Sequence, residues 1–398
     1  MERYRPHIGA CLSEQLTACS RATGKNFHQY TMQSTFDTPA HRAFMELVRC
    51  GISEETPDRS LFTGLSVADW EQIYSLARRQ TVCGICYDAY CKLPDRLLPA
   101  GSLLPRWVAR VNAIELSYRD MTSAVASLVK SFATIGLHPV LQKGLSVTRF
   151  YASPELRECG DIDLWFPADE MDRAILFAHG IDSNIRQHPD GSLSFIYRGF
   201  IVELHRRLIS LSAPRAARRL ETYISRHYSR TAVAPDGIPS PAPLLELLLI
   251  NVHIMRHVFG TGIGLRQLCD YMRASYMLKG QYDSAEFEQA CVELGISRWT
   301  ALLNDFLVTY LGADPDLLPP SGLKKANTIP VAGLMAVIME GGNFGHHRSG
   351  KSERHDGAVA SGKLHTLSML LRRSRFAFRI APAEAYWNIV SLTMGQIH

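Results

Sequence analysis

The segment GDIDLWF, residues 160–166, constrains the fold of this chain more than any other stretch. Asp161 and Asp163 alternate with apolar residues, a pattern that predicts a half-buried β-strand. Residues i and i+2 of a strand project to the same face, so we expect both carboxylates on one face and Ile162 and Leu164 in a core. Two carboxylates side by side repel strongly in a low dielectric unless a cation relieves them. The segment therefore predicts a sheet with one cation-binding face.

The residues around this segment predict the other parts of a small sheet. The period changes at Gly136, after which HPVLQK predicts a strand ending at Gly144, and LSVTRFYA predicts a helix that ends before Pro154. FIVELH predicts a further strand, and Asp190-Gly191 and Arg198-Gly199 are typical of hairpin turns. Helical periodicity dominates on both sides of this region.

We therefore expect a helix-rich α+β protein built around a small mixed β-sheet. A chain of 398 residues is long enough for two or three structural units. The expected organisation is a loosely ordered leader over 1–35, a helical region over 36–135, an α/β core over 136–210, and a helical region over 211–398 with a Gly- and His-rich loop near 341–357.

Composition favours a soluble protein of the cytoplasm. The net charge of +5 is mild and does not indicate a nucleic-acid binder. The longest apolar run, PAPLLELLLINVHIM, contains Glu246 and His253 and is too short to span a bilayer. Nine cysteines, an odd number, fit reduced thiols. A zinc interpretation of Cys83 and Cys86 lacks a second ligand pair nearby, so packing within a helix is favoured.

The strand FIVELH supplies a third acid to the predicted site. If this strand runs beside DIDLWF, Glu203 joins Asp161 and Asp163, an arrangement suited to two-metal catalysis with Mg²⁺ or Mn²⁺. The turn KGLS precedes these acids at the end of a strand. There Gly144 permits close backbone approach, Ser146 offers a hydroxyl, and Lys143 adds charge for a phosphate.

This order of motifs resembles the DNA polymerase beta-like nucleotidyltransferase superfamily, and more closely a bacterial family of uncharacterised nucleotidyltransferases. The matching residues are KGLSVTRFY, Arg157, GDIDLW, VELHRRL, HIMRH and GLRQLCDY. The resemblance implies a nucleotidyl-transfer fold with Mg²⁺ and a nucleoside triphosphate. Asp161, Asp163 and Glu203 would bind the metal, and Gly144 and Ser146 the triphosphate. Lys143 departs from the wider superfamily, in which a second glycine often stands at this position.

Further polar residues are candidates for lining the substrate, each with an ordinary structural alternative. Arg157 suits a triphosphate, or a surface ion pair with Glu155 or Glu158. His205 shares the face of Glu203 and fits either the site or a core. His253 and His257, spaced i and i+4, are interpreted as a substrate-lining stripe. Arg266 and Asp270 have the spacing of an ordinary intrahelical ion pair, and the resemblance favours the cleft for them.

The predicted reaction transfers a nucleoside monophosphate from a triphosphate to an unknown hydroxyl or phosphate oxygen and releases pyrophosphate. Catalysis would come mainly from positioning and charge neutralisation, with Glu203 as the residue best placed to take the proton of the acceptor. We expect a small-molecule acceptor most readily, with RNA or a protein as alternatives. Two other functions stay open: a catalytically silent nucleotide-binding protein on the same fold, and a phosphotransferase.

Overall fold

The computed structural model describes residues 37–99, 101–188, 191–228, 232–233, 237–260, 262–323, 328–341 and 375–393. The described residues from Pro39 onwards belong to one compact unit. The predicted leader over 1–35 lies outside the described residues, as does the Gly- and His-rich loop beyond Gly341. The internal boundaries expected near residues 135 and 210 stay a prediction.

A group of helices precedes the sheet in the chain, as the helical periodicity predicts. They are α1 (Pro39–Ser53), α2 (Val67–Arg79), α3 (Cys83–Tyr90) and α4 (Leu103–Ala133). The helix α2 begins with a capping box, in which the Ser66 hydroxyl accepts from the Asp69 N–H and the Asp69 carboxylate accepts from the Ser66 N–H. Cys83 and Cys86 lie in α3 as buried free thiols, and burial raises the pKa of Cys83 to about 12.

The predicted mixed sheet is confirmed, and it has five strands in the order β1-β2-β5-β4-β3. The strands are β1 (Val140–Gln142), β2 (Ile162–Trp165), β3 (Arg186–Gln187), β4 (Leu193–Tyr197) and β5 (Phe200–His205). The β2–β5 pair is parallel, while the β1–β2, β4–β5 and β3–β4 pairs are antiparallel. A separate pair consists of β6 (Ala232–Val233) and β7 (Pro239–Ser240).

The turn between β4 and β5 is the predicted Arg198-Gly199 turn. Tyr197 pairs with Phe200, so the loop has two residues, and both have positive φ, 50° for Arg198 and 86° for Gly199. Positive φ at both central positions is the requirement of a type I′ turn, whose twist matches that of the flanking strands. Asp190 of the other predicted turn lies outside the described residues.

The helix predicted over LSVTRFYA is shorter and less regular than expected. The chain forms a four-residue helix, α5 (Lys143–Ser146), and then a 3₁₀-helix over Val147–Phe150. A second 3₁₀-helix, Pro154–Leu156, carries the chain to β2. These short turns keep the KGLS segment close to the start of β2, where Asp161 lies.

One face of the sheet packs on helices and forms the core. Alternate residues of the two central strands, Ile162 and Leu164 of β2 and Val202 and Leu204 of β5, have no exposed surface. They belong to one apolar cluster with residues of α4 and of α6 (Met171–Ile181), among them Val125, Leu128, Phe132, Met171, Ala174 and Ala178. Since burying an aliphatic side chain contributes about 1.5–3 kcal/mol, this packing fixes the register of both central strands.

Helices also dominate after the sheet. They are α7 (Pro214–His227), α8 (Pro243–Phe259), α9 (Leu265–Met277), α10 (Ser284–Leu294), α11 (Ser297–Leu311), α12 (Val331–Gly341) and α13 (Pro382–Thr393). Within the described residues, none of the helices has both the length and the apolar character that crossing a membrane requires. The helices α8 and α9 carry the predicted residues His253, His257, Arg266 and Asp270.

Candidate active site

The polar face of the sheet brings Asp163 and Glu203 together. Asp163 of β2 is paired in register with Glu203 of β5, and Trp165 with His205. Because paired residues of neighbouring strands project to the same side, Asp163, Glu203 and His205 share the face opposite the core. The expectation that Glu203 joins Asp163 depended on FIVELH running beside DIDLWF, and the two strands are paired in this way.

Asp163 is held in a tight group of charged and polar side chains. Its Oδ1 lies 3.0 Å from Lys143 Nζ and 2.7 Å from His205 Nε2. Asp163 is only 4% exposed. Burial alone would raise its pKa, but the charge of Lys143 and the hydrogen bond from His205 lower the pKa below the usual range. The carboxylate is therefore ionised at neutral pH.

Lys143 occupies an unusual backbone position at the start of α5. Its φ is 52°, in the left-handed region that glycine adopts freely and other residues adopt at a cost. Burial is the largest influence and opposes the charged form of its amine, but Asp163, Glu203 and Asp161 together outweigh it and the pKa is raised. In this position the ammonium lies against Asp163 and 3.5 Å from His205 Nε2.

Three side chains of this face can hold a metal ion between them. Asp163, Glu203 and His205 each offer a ligand atom, and these atoms lie within 4.8 Å of one another. Glu203 Oε2 lies 3.5 Å from His205 Nε2, and the side chain of Glu203 is 25% exposed. The donor set is two carboxylates and an imidazole, with one carboxylate within reach of solvent.

Asp161 lies immediately before β2 and not within the strand. Its pKa is raised, first by the charge of Asp163 and then by burial, against the opposing charges of Lys143, Arg266 and Arg157. Gly144 lies against it, since a Cβ at Gly144 would be 3.4 Å from the Asp161 carbonyl oxygen. Asp161 is outside the three-residue group, so its role as a metal ligand stays a prediction.

Ser146 faces the protein interior. It is 3% exposed, and its hydroxyl accepts a hydrogen bond from Arg149 Nη1. Arg149 in turn forms an ion pair at 2.8 Å with Glu246, which is fully buried in the first turn of α8. The contact of Ser146 with a triphosphate stays a prediction, because its observed partner is a neighbouring side chain.

Arg157 is buried, and its partner is Asp270. Arg157 Nη2 lies 2.6 Å from Asp270 Oδ2 and Nε lies 3.1 Å from Oδ1, to which the Tyr151 hydroxyl also donates at 2.8 Å. Arg157 Nη1 donates to the Glu158 carbonyl oxygen at 2.9 Å. The alternative of a surface ion pair with Glu155 or Glu158 is therefore wrong. A contact of Arg157 with a triphosphate stays a prediction.

Arg266 is not the ion-pair partner of Asp270, so the expected intrahelical pair is wrong. Its Nη1 donates to the Glu158 carbonyl oxygen at 2.7 Å, while Asp270 pairs with Arg157. Burial and the neighbouring charge of Arg157 both lower the pKa of Arg266. Both arginines lie close enough to Asp161 for their charges to lower its pKa. Both also donate to the Glu158 carbonyl oxygen, in the segment between KGLS and β2.

His253 and His257 lie one turn apart on α8, as the spacing predicts. Their ring centroids are 4.4 Å apart and both side chains are half-buried. Burial, and then the neighbouring His257, lower the pKa of His253 well below its usual value. Burial, and then Lys143 and Arg256, lower the pKa of His257 to about 3. The charges of Lys143 and Asp163 act on both rings, while the lining of the substrate by this pair stays a prediction.

Sequence reasoning missed Gln142, the residue of β1 that pairs with Asp163. Gln142 has no exposed surface, and among the described residues neither its Oε1 nor its Nε2 has a hydrogen-bond partner. Its backbone partner Asp163 places it on the polar face, because Leu141 beside it belongs to the core. The feature of the sequence that could have pointed to it is a glutamine beside apolar residues in HPVLQK, directly before the KGLS turn.

The comparison with protein families gives one match. Residues 66–311, well over half of the chain, match the model of a family described as uncharacterised nucleotidyltransferase. The matched range contains the whole five-stranded sheet and the helices α8 and α9. Neither the curated proteins nor the solved structures contain a significant match to this chain.

Proposed function

Since the chain belongs to the family of uncharacterised nucleotidyltransferases, we propose that it transfers a nucleoside monophosphate from a nucleoside triphosphate to an acceptor hydroxyl or phosphate oxygen, releasing pyrophosphate. The observation that carries the proposal is the side-by-side placement of Asp163 and Glu203 on one face of the sheet. The likeness to the DNA polymerase beta-like superfamily is part of the same proposal.

The residues of the site fit a divalent cation. Asp163 is ionised and already attracts one cationic group, Lys143, while Glu203 offers a second carboxylate nearby. Carboxylate oxygens are the ligands that Mg²⁺ and Mn²⁺ take beside a substrate phosphate. A bound cation would neutralise charge on the transferred phosphate and orient it. Asp161, just before β2, is proposed as a further ligand.

The side chains around the acids have separate proposed roles. Lys143 holds an oxygen of the triphosphate, because its ammonium lies 3.0 Å from Asp163 at the proposed metal site. Gly144 lets the triphosphate approach the backbone beside Asp161. Glu203 takes the proton of the acceptor, since it is the more exposed of the paired acids. His253 and His257, neutral at pH 7, line the substrate without adding charge.

The base of the nucleotide and the acceptor are not fixed by these residues. ATP is the first triphosphate to test, and a small molecule is the acceptor that we favour over RNA or a protein. Nucleoside triphosphates are plentiful in the cytoplasm, where we propose that the reaction takes place. One observation favours a catalytically silent nucleotide-binding protein as the second candidate: Lys143 already contacts the carboxylate that a cation needs.

The test is transfer of label from the α-phosphate. The protein is incubated with each α-labelled triphosphate, Mg²⁺ or Mn²⁺, and a cell extract that supplies acceptors. Wild type is expected to label an acceptor, while Asp163→Asn and Glu203→Gln lose the labelled product. Asp172→Asn is the matched control, because Asp172 is exposed and pairs with Arg206 on the surface. Gly144→Ala adds a methyl in ordinary contact with Asp161, so it should fold normally and bind the triphosphate weakly.

The alternatives give different results when the same incubation is run with α-labelled and, separately, with γ-labelled triphosphate. Label that arrives only from the γ-phosphate would make the protein a phosphotransferase. Nucleotide that binds in the presence of the metal but is never turned over, with any of the triphosphates, would make it a silent binding protein. Either result would overturn the proposed nucleotidyl transfer.

A further inference from the structure

We propose that His205 is a direct metal ligand and makes the site selective for a first-row transition ion, Mn²⁺, over Mg²⁺. The inference deepens the proposed function, since it concerns the ion of the same site. It rests on the imidazole that stands between the two strand carboxylates, where an all-oxygen magnesium site would have none.

The first observation is the geometry of the three donor atoms. His205 Nε2 lies 2.7 Å from Asp163 Oδ1 and 3.5 Å from Glu203 Oε2. Donor atoms that bind one ion at about 2.1 Å and at right angles lie about 3 Å apart. The distance from His205 Nε2 to Asp163 Oδ1 is slightly shorter than this separation, and the distance to Glu203 Oε2 is slightly longer. A metal ion therefore needs only small side-chain shifts to take His205 Nε2 together with both carboxylates.

The second observation is the buried amide of Gln142. It is fully buried on the same face, opposite Asp163 in the register of β1 and β2, and its oxygen and nitrogen have no hydrogen-bond partner in the part of the chain that the structure describes. Buried polar groups in folded proteins nearly always have a partner, so an orphaned amide beside Asp163 points to a ligand at this place. A metal ion with its bound water or phosphate supplies both acceptors and donors for such a group.

The donor set decides which ion is preferred. Mg²⁺ takes oxygen ligands and discriminates against nitrogen, whereas an imidazole suits first-row transition ions. Two carboxylates and one imidazole still favour a hard member of that series, which is Mn²⁺. The identity of residue 205 thus sets the ratio of the two affinities.

Lys143 affects the binding of both ions through its charge and not as a ligand. Its ammonium contacts the same oxygen of Asp163 that His205 contacts, so any cation bound there competes with it. Competition by a fixed charge weakens the two ions equally, because both carry the same charge. Removing Lys143 should therefore raise both affinities and leave their ratio unchanged.

The experiment measures metal binding directly, without turnover. The full chain is titrated with Mn²⁺, followed by the electron paramagnetic resonance of the free ion, and Mg²⁺ is measured by competition. Wild type should bind Mn²⁺ more tightly than Mg²⁺ by a factor on the order of 10 or more. His205→Gln should lose at least about 10-fold in Mn²⁺ affinity and less than about 3-fold in Mg²⁺ affinity. His205→Asp, an all-oxygen set, should reduce the preference for Mn²⁺.

The controls separate folding and charge from ligation. His227→Gln removes another buried histidine that contacts a carboxylate, at 2.9 Å from Glu286, and should leave both affinities unchanged. Lys143→Gly should strengthen both ions without changing the ratio. A ratio that stays the same in both His205 variants, with the fold intact by circular dichroism, overturns the inference. Failure of the proposed function looks different: Mn²⁺ binds with the expected dependence on His205, but no α-label is transferred.

Discussion

Lys143 carries a backbone cost that its side chain must offset. A non-glycine residue in the left-handed region costs about 1–2 kcal/mol, and Lys143 has a φ of 52°. The same conformation directs its ammonium to the buried carboxylate of Asp163. The sequence marked this position, because the resemblance led us to expect a glycine there. It did not show that the backbone keeps the conformation of glycine while the side chain is a lysine.

Because the backbone of Lys143 is strained while its side chain forms an ion pair, two variants at this position should differ in stability. Lys143→Gly removes the ion pair and also the backbone cost, whereas Lys143→Met removes the ion pair alone. We expect Lys143→Gly to be more stable than Lys143→Met by about 1 kcal/mol. Urea denaturation at pH 7 measures the difference. Equal stability of the two variants would mean that residue 143 is not strained.

We expect that replacing Gln142 by an apolar residue stabilises the folded protein. A buried amide without partners costs about 1–3 kcal/mol, and leucine has a similar size without polar atoms. Gln142→Leu is therefore expected to raise the free energy of unfolding of the metal-free protein by about 1 kcal/mol, and to weaken metal binding. Thermal and urea denaturation without metal check the first part. A loss of stability would show that the amide has a partner in solution.

At the scale of elements, local pattern predicted the strands and their faces. The alternation of apolar and polar residues in DIDLWF and FIVELH is the direct result of burying one face of the sheet on α4 and α6. The strand order was not predicted, because β2 and β5 are separated along the chain by residues 166–199. The helix predicted over LSVTRFYA was replaced by short turns, in which Arg273 of α9 donates to the Phe150 carbonyl oxygen at 2.8 Å.

The pair between Arg157 and Asp270 connects the turn before β2 to α9, and it predicts a strongly non-additive mutant cycle. The two side chains are 3% and 5% exposed. Removing one partner leaves a buried charge and costs about 3–5 kcal/mol, whereas replacing both by apolar residues costs much less. We expect Arg157→Met/Asp270→Leu to be more stable than either single variant.

The same cycle tests whether Arg157 also binds a triphosphate. Urea denaturation measures stability, and nucleotide binding is measured on the double variant, which should be folded. Normal nucleotide affinity in the double variant assigns Arg157 a structural role alone. If the double variant is as unstable as the sum of the single variants, Arg157 and Asp270 do not act as a pair.

At the scale of the whole molecule, regions far apart in the chain pack together through side chains that a local pattern does not reveal. Gln80, at the end of α2, accepts from the Leu265 N–H of α9 at 2.9 Å and donates to the Ile338 carbonyl oxygen of α12 at 3.1 Å. Arg149 reaches Glu246 in the same way. Such pairs depend on the assembled fold, which explains why the sequence identified the acids of the site but not the partners of Ser146, Arg157 or Asp270.

The decrease in the free energy of unfolding at acidic pH is the property of the whole molecule that His253 and His257 affect most directly. The folded state lowers the pKa of His253 and His257, the latter to about 3, because burial and the charges of Lys143 and Arg256 oppose protonation. An unfolded histidine titrates near 6.5, so below this pH the unfolded state binds more protons and the free energy of unfolding falls. This loss should continue from about pH 6.5 down towards the folded pKa values.

His253→Gln/His257→Gln should therefore lose less stability than wild type between pH 7 and pH 4, measured by urea denaturation at each pH. Parallel curves for the two proteins would show that both histidines accept protons in the folded state. That result would contradict their proposed role as neutral groups that line the substrate.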